Sequence, residues 1–120
     1  MAETSMADLV SEARRLSGLI DNGVKALTEA AKNLAEAEYA YRLARAEAWH
    51  RTEGTAKQRE DDVNAITAGE RRVRDLAEAG RMSALEALRS RRQQLSAVQS
   101  IAAAWRAEAE HANYGPSEAA

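Results

Sequence analysis

Residues 9–48 read LVSEARRLSGLIDNGVKALTEAAKNLAEAEYAYRLARAEA, and steps of four and three residues from Leu9 meet no polar side chain. The positions reached are Leu9, Ala13, Leu16, Ile20, Gly23, Leu27, Ala30, Leu34, Ala37, Tyr41, Ala44 and Ala48. Apolar residues that recur every 3.5 residues form the narrow seam of a coiled coil, which one partner helix can cover. The rest of the chain is therefore expected to supply that helix.

The composition favours helices throughout the chain. Of the 120 residues, 30% are charged, 4% are aromatic and one is proline, which is typical of long helices with a large exposed surface. Alanine, the best helix former, is the commonest residue. We predict an all-α fold, a long antiparallel, coiled-coil-like helical hairpin, with a three- or four-helix bundle as the alternative.

The first helix is predicted over about residues 5–51. Ser5 followed by Asp8 offers a hydroxyl cap and a carboxylate near the positive end of the helix dipole. Asn22-Gly23 is a turn signal, so a break at 21–23 is an alternative. We favour a continuous helix, because the seam keeps its phase across Gly23.

The second helical region is predicted over about residues 55–113, after a turn at 52–54. Gly54 suits a positive φ, and Thr55 with Gln58 forms a capping box that starts a helix. Asn-Tyr-Gly-Pro then supplies a stop signal, and residues 114–120 are expected to form a flexible tail.

The apolar pattern of this second region falls into two phases, 63–80 and 88–112. Two successive steps of four, from Gly80 to Leu88, join them, which predicts a stutter in the coiled coil. The alternative is a break at 80–83, since Ser83 with Glu86 is also a capping box.

A turn centred near residues 53 and 54 pairs residues whose numbers total about 107. The predicted hairpin core is Leu9, Leu16, Ile20, Leu27, Leu34, Tyr41, Val63, Ile66, Val73, Leu88, Leu95 and Val98. Trp105 overhangs the start of the first helix in this register. Apolar residues beside the seam exceed what one partner helix covers, so two hairpins are expected to associate as a homodimer.

Charge and residue usage narrow the functional classes. The net charge of −2 gives no overall attraction to nucleic acid or to an anionic membrane. There is no cysteine, no membrane-spanning stretch, no signal peptide and no catalytic motif. We therefore expect a cytoplasmic protein that is not an enzyme and holds no cofactor.

Two Glu-x-x-His pairs, Glu47 with His50 and Glu108 with His111, match part of the pattern of di-iron helical bundles. A long hairpin would place the two histidines at opposite ends, and this spacing arises easily by chance in a glutamate-rich chain. We therefore predict no metal site, and interpret both histidines as solvated.

An arginine- and glutamine-rich stretch of the second helix is the predicted partner-binding surface. Its candidate residues are Arg89, Arg91, Arg92, Gln93, Gln94 and Gln99, together with Trp105. Such residues bind protein surfaces, and they also hold phosphates in a way that weakens with salt. Interleaved acids upstream of residue 87 favour a protein partner, with nucleic acid as the alternative.

Three stretches carry a resemblance to known proteins: YRLARAEA at 41–48, EGTAKQRE at 53–60 and ALRSRRQQLSAVQS at 87–100. Together they resemble a group of small all-helical proteins encoded by phages and prophages of actinobacteria, often among early genes of DNA metabolism. The resemblance implies a phage context and a place in the host cytoplasm, without implying an activity.

The function expected from the sequence is that of a non-enzymatic helical interaction protein. We expect a phage-encoded accessory or host-modulating factor that binds a protein of DNA metabolism or defence. The alternatives are a nucleic-acid-binding accessory of recombination or replication, and a component of virion assembly or scaffolding.

Overall fold

A computed structural model describes residues 4–113 of the chain. It contains three helices, α1 at Met6–Arg51, α2 at Ala56–Ile66 and α3 at Ala68–Asn113. No strand occurs within these residues, and the chain is an all-α helical hairpin, as predicted. The predicted flexible tail at 114–120, and with it most of the predicted stop signal, lies outside the described residues.

The helices pack as two units. One unit comprises residues 24–86, and in it the second part of α1 packs against α2 and the beginning of α3. The other unit combines residues 4–23 with residues 87–113, so that the start of α1 packs against the end of α3. In each unit, a segment of α1 thus packs antiparallel to the later helices of the chain.

Side-chain caps fix the predicted starts of α1 and α2. The Ser5 N–H donates to Asp8 Oδ2 at 2.9 Å, and the Asp8 N–H donates to Ser5 Oγ at 3.1 Å. The bond from the Ser5 N–H, and after it a hydrogen bond of the Ser5 side chain to the same carboxyl, hold the pKa of Asp8 below its usual value. Thr55 and Gln58 form the predicted capping box, just after Gly54 with its φ of 109°. Between these caps α1 is continuous and has no break at 21–23.

The second helical region is interrupted at Thr67, rather than at 80–83. Thr67 is 1% exposed and has φ −101° and ψ 12°, outside the helical range. Its hydroxyl and its N–H both donate to the carbonyl oxygen of Val63, at 2.7 and 2.9 Å.

The predicted seam of α1 matches the buried face of that helix. All twelve seam positions are buried or half-buried, with Leu16 at 1% and Ala48 at 0% exposure. Five of these positions are alanines. Ala37 and Ala48 are buried, and Ala13, Ala30 and Ala44 are half-buried. Small side chains allow the backbones of two helices to approach closely.

The seam of α3 is regular and contains no stutter. Successive steps of three and four residues meet Arg74, Ala77, Arg81, Ala84, Leu88, Arg91, Leu95, Val98, Ala102 and Trp105, all of them buried or half-buried. The predicted stutter was therefore wrong. Three of the seam positions are arginines, whose aliphatic stems can cover apolar surface while the charged group reaches water.

Two predicted core residues, Ile66 and Val73, lie at the surface. Ile66 is 49% exposed and Val73 is 59% exposed, so their assignment to the core was wrong. Leu9, Leu16, Val63 and Leu88 are buried, and Ile20, Leu27, Leu34, Tyr41, Leu95 and Val98 are half-buried. Ile66 and Val73 belong to a separate stripe of α2 and α3, one position around the helix from the seam.

The facing register differs slightly from the prediction. Arg45 donates to Asn64, a pair whose numbers total 109, and Gly23 contacts Leu88, a pair whose numbers total 111. With the register of the second pair, Trp105 is level with Met6 and lies half-buried on the seam, so its predicted overhang was wrong, whereas Ala109 and Ala112, predicted to overhang with it, are exposed.

Two glycines of α1 give a first testable prediction. A Cβ at Gly18 would meet no atom within 4 Å, whereas one at Gly23 would lie 3.2 Å from Leu88 Cδ1. Since alanine is favoured over glycine in a helix by about 1 kcal/mol, Gly18→Ala should raise the free energy of unfolding by about that amount. Gly23→Ala should give a clearly smaller gain, because Leu88 must move. Urea denaturation followed by circular dichroism measures both, and equal gains would contradict the contact.

Candidate partner-binding surface

The predicted partner-binding residues all lie in the unit formed by residues 4–23 and 87–113, but on three different faces of α3. Arg91 and Trp105 lie on the seam and are half-buried. Arg89, Arg92 and Gln99 are exposed on one flank, because steps of three and seven residues keep a face. Gln93 and Gln94 are exposed on the outer and opposite sides. One partner helix cannot contact all of them at once.

Arg91 links the seam to the side of α3 that carries Gln94. Its stem occupies a seam position, and its Nη1 donates to Gln94 Oε1 at 3.5 Å, the length of a weak hydrogen bond. This side chain is therefore part of the packing within the unit rather than a free contact for a partner.

The flank that carries Arg92 is basic over residues 87–107, and the nearest acids of α3 are Glu86 before this stretch and Glu108 and Glu110 after it. Residues 87–107 contain no aspartate or glutamate. Arg92 and Arg106 are exposed, and neither forms an ion pair within residues 4–113. Fourteen residues separate them, about 21 Å along a helix. This flank offers unpaired positive charge at two points and glutamine between them.

Several arginines of the other unit, by contrast, are engaged by residues of that unit. Arg74 pairs with Asp75 at 3.3 Å and with Glu78 at 3.2 Å. Its guanidinium also lies 5.6 Å from the ring centre of Tyr41, and Arg45 lies 5.7 Å from the same ring. Arg45 donates to Asn64 at 2.7 Å. These contacts close one flank of the unit with polar groups.

The turn end of this unit holds a further engaged arginine. The Arg59 guanidinium lies 4.0 Å from the ring centre of Trp49, and its Nη2 donates to the Trp49 carbonyl oxygen at 2.8 Å. Trp49 is 38% exposed, and Arg59 covers part of its ring. The aromatic ring and the start of α2 are therefore held together across the turn.

Two shallow depressions lie in the unit of residues 24–86. One, of about 490 Å³, is lined by Arg51, Thr52, Glu53, Asp62, Ala65 and Ile66. The other, of about 430 Å³, is lined by Ala37, Ala40, Gly69, Glu70 and Val73. Both are open to solvent, and the second is mainly apolar.

The histidines considered as metal ligands are exposed. His50 and Glu47 lie on the surface of one unit, and His111 and Glu108 on that of the other. Among residues 4–113, no three histidine, aspartate or glutamate side chains come together as a metal site requires.

The chain was compared with known protein families, curated proteins and solved structures, and it matches none of them. In the described part of the chain, no helix has a stretch long and apolar enough to cross a lipid bilayer. The surface chemistry described above therefore carries the functional argument.

Sequence reasoning missed one surface, the exposed stripe that contains Ile66 and Val73. The stripe is present in the sequence as a second run of three- and four-residue steps. The predicted core includes Ile66 and Val73 because it treats this run as part of the seam. Only the burial of each residue shows that two parallel stripes exist.

Proposed function

We propose that this chain is a non-enzymatic helical interaction protein that binds an acidic surface of a protein partner. The observation that carries the proposal is the basic flank of α3, where Arg92 and Arg106 are exposed and form no ion pair within residues 4–113. Exposed arginines form strong, often bidentate hydrogen bonds with carboxylates. Gln99, which lies between them on the same flank, adds a side chain that can both donate and accept hydrogen bonds.

A protein partner accounts for this flank better than nucleic acid does. Affinity for a nucleic acid depends on the number of phosphates that are neutralised, and two unpaired arginines about 21 Å apart neutralise few. The unit that contains them carries six arginines against five acidic residues within 4–23 and 87–113. Its charge is therefore too balanced for a purely electrostatic interface.

The resemblance to actinobacterial phage proteins directs the search for the partner. It points to proteins of DNA metabolism or defence in the host cytoplasm, which a phage accessory factor would meet during infection. The purified chain, attached to beads, is the bait for nuclease-treated extracts of infected cells.

Reversing both charges should weaken the binding of that partner at least tenfold. Arg92→Glu with Arg106→Glu replaces both cations by carboxylates, which repel the carboxylates of the partner. Lys25→Glu with Lys32→Glu is the matched control, since it makes the same change in charge at exposed positions of α1 in the other unit. The affinity for the captured partner is measured by calorimetry for all three chains.

Equal weakening by the two pairs would show that only net charge matters, and would contradict a specific flank. A titration with single- and double-stranded DNA at two salt concentrations tests the alternative. Salt-sensitive DNA binding that the arginine pair abolishes would favour the nucleic-acid function over the protein partner.

A further inference from the structure

The unit of residues 24–86 carries a second heptad stripe that its own chain leaves uncovered. Steps of three and four residues meet Ile66, Gly69, Val73, Leu76, Gly80 and Ser83, and every one of them is exposed. Leu76 is 60% exposed. An apolar stripe with this period is the contact surface for another helix, and α1 already packs against the seam of α3. The second stripe therefore lacks its partner.

The depression beside this stripe shows that α1 does not cover it. Gly69 and Val73 line the mainly apolar depression of about 430 Å³ together with Ala37 and Ala40 of α1. The opposite flank is closed by the contacts of Arg45 and Arg74 with Tyr41. The unit thus has one closed polar flank and one open apolar flank.

The sizes of the side chains along the stripe decide which helix fits it. Val73 and Leu76 project from one half, whereas Gly80 and Ser83 leave the next half shallow. A Cβ placed on Gly80 would meet no atom within 4 Å, so the space over this glycine is empty of the chain's own atoms. A partner helix must therefore present small residues to Leu76 and a large residue to Gly80.

We propose that a second copy of the chain covers this stripe, with the two α3 helices antiparallel about a two-fold axis between Leu76 and Gly80. Leu76 of each copy then packs over Gly80 of the other, and Val73 packs against Ser83 of the other. A closed, two-fold interface of this kind is self-complementary. A parallel arrangement would instead place Leu76 against Leu76 and leave Gly80 facing Gly80.

The charges beside the stripe favour the same arrangement. Arg72 and Glu86 are exposed and lie on one edge of the stripe, since fourteen residues, two heptads, separate them. In the antiparallel pair, Arg72 of each copy comes within one helical turn of Glu86 of the other. In a parallel pair, this edge faces the opposite edge of the other helix, so Arg72 and Glu86 of the two copies would not meet. Size and charge thus select the same partner and the same direction.

The mass of the full chain in solution tests the proposal. Sedimentation equilibrium should give a mass twice the 13.1 kDa of the monomer at micromolar concentrations. Gly80→Glu places a carboxylate opposite Leu76 and should give the monomer mass. Gly18→Glu is the matched control, since Gly18 is also an open helical glycine but lies outside the stripe, and it should keep the dimer. Glutamate is a better helix former than glycine, so neither variant should lose its helices.

Charge reversal tests the direction of the two helices. Arg72→Glu and Glu86→Arg should each weaken self-association about tenfold, and the two changes together should restore it. A chain that stays monomeric at every concentration would overturn the proposal, as would a Gly80→Glu variant that remains dimeric. Failure of the double variant to recover would overturn the antiparallel arrangement. None of these results bears on the acidic partner, which Arg92 and Arg106 are proposed to bind.

Discussion

Leu16→Ala should lower the free energy of unfolding by about 2–5 kcal/mol, the range for removing a buried leucine side chain. Leu16 is 1% exposed and is among the largest fully buried side chains of the described residues. Many of the other seam positions of α1 are alanines, which bury little area each. The contribution of each large residue to the stability of so narrow a core is therefore high.

The measurement is urea denaturation followed by circular dichroism, at one fixed protein concentration because association would add to the apparent stability. Leu43→Ala is the control, since Leu43 lies on the same helix but is 46% exposed. It should lose less than about 1 kcal/mol. Similar losses for both variants would show that the seam does not form the core.

The seam of α1 was readable from the sequence because its residues are all apolar or glycine. In such a helix the pattern of residue types and the pattern of burial coincide, so the period of 3.5 residues identifies the buried face. The capping residues Ser5 and Thr55 were readable for a similar reason, since their hydrogen bonds involve only residues three positions away.

The seam of α3 could not be predicted in the same way, because arginine occupies three of its positions. A pattern of polar and apolar residues excludes arginine from a buried face, although its stem of methylene groups can line one. Excluding Arg74 and Arg81 left only two alanines, Ala77 and Ala84, to mark the seam before Leu88. Ile66 and Val73 then appeared to continue it, although they belong to the second stripe.

The interruption at Thr67 escaped prediction because residues 66–68 contain no glycine, proline or asparagine that would mark a turn. Gly80 and the Ser83 and Glu86 pair are stronger signals, yet the helix continues through them. A glycine in a helix costs about 1 kcal/mol, which the packing of Ala77, Ala84 and Leu88 on the seam offsets. Tertiary packing thus overrides the local preference there.

The candidate surfaces show the same limit. The residue types of the arginine-rich stretch were evident from the sequence, but their division among three faces depended on which side of α3 is buried. Arg91 and Arg92 are neighbours in the chain, and yet the first is half-buried in the seam and the second is exposed. A binding surface on a helix is defined only after its buried face is known.

The second large effect is expected from Ala48→Leu, which should lower the free energy of unfolding by about 1–3 kcal/mol. Ala48 is 0% exposed and lies on the seam of α1, close to the level of Val63, which is 1% exposed. Three additional carbon atoms have no space there unless the helices move apart. Such movement would also loosen the neighbouring contact of Arg45 with Asn64.

Ala46→Leu is the matched control, because Ala46 is exposed on the opposite side of the same turn, and it should change the stability by less than about 0.5 kcal/mol. Leucine and alanine have similar helix propensities, so the difference between the two variants measures crowding alone. If Ala48→Leu were neutral or stabilising, the two helices would not be closely packed at this position. The alanines of the seam would then favour helix formation only. The interpretation that they allow a close approach of the two backbones would be wrong.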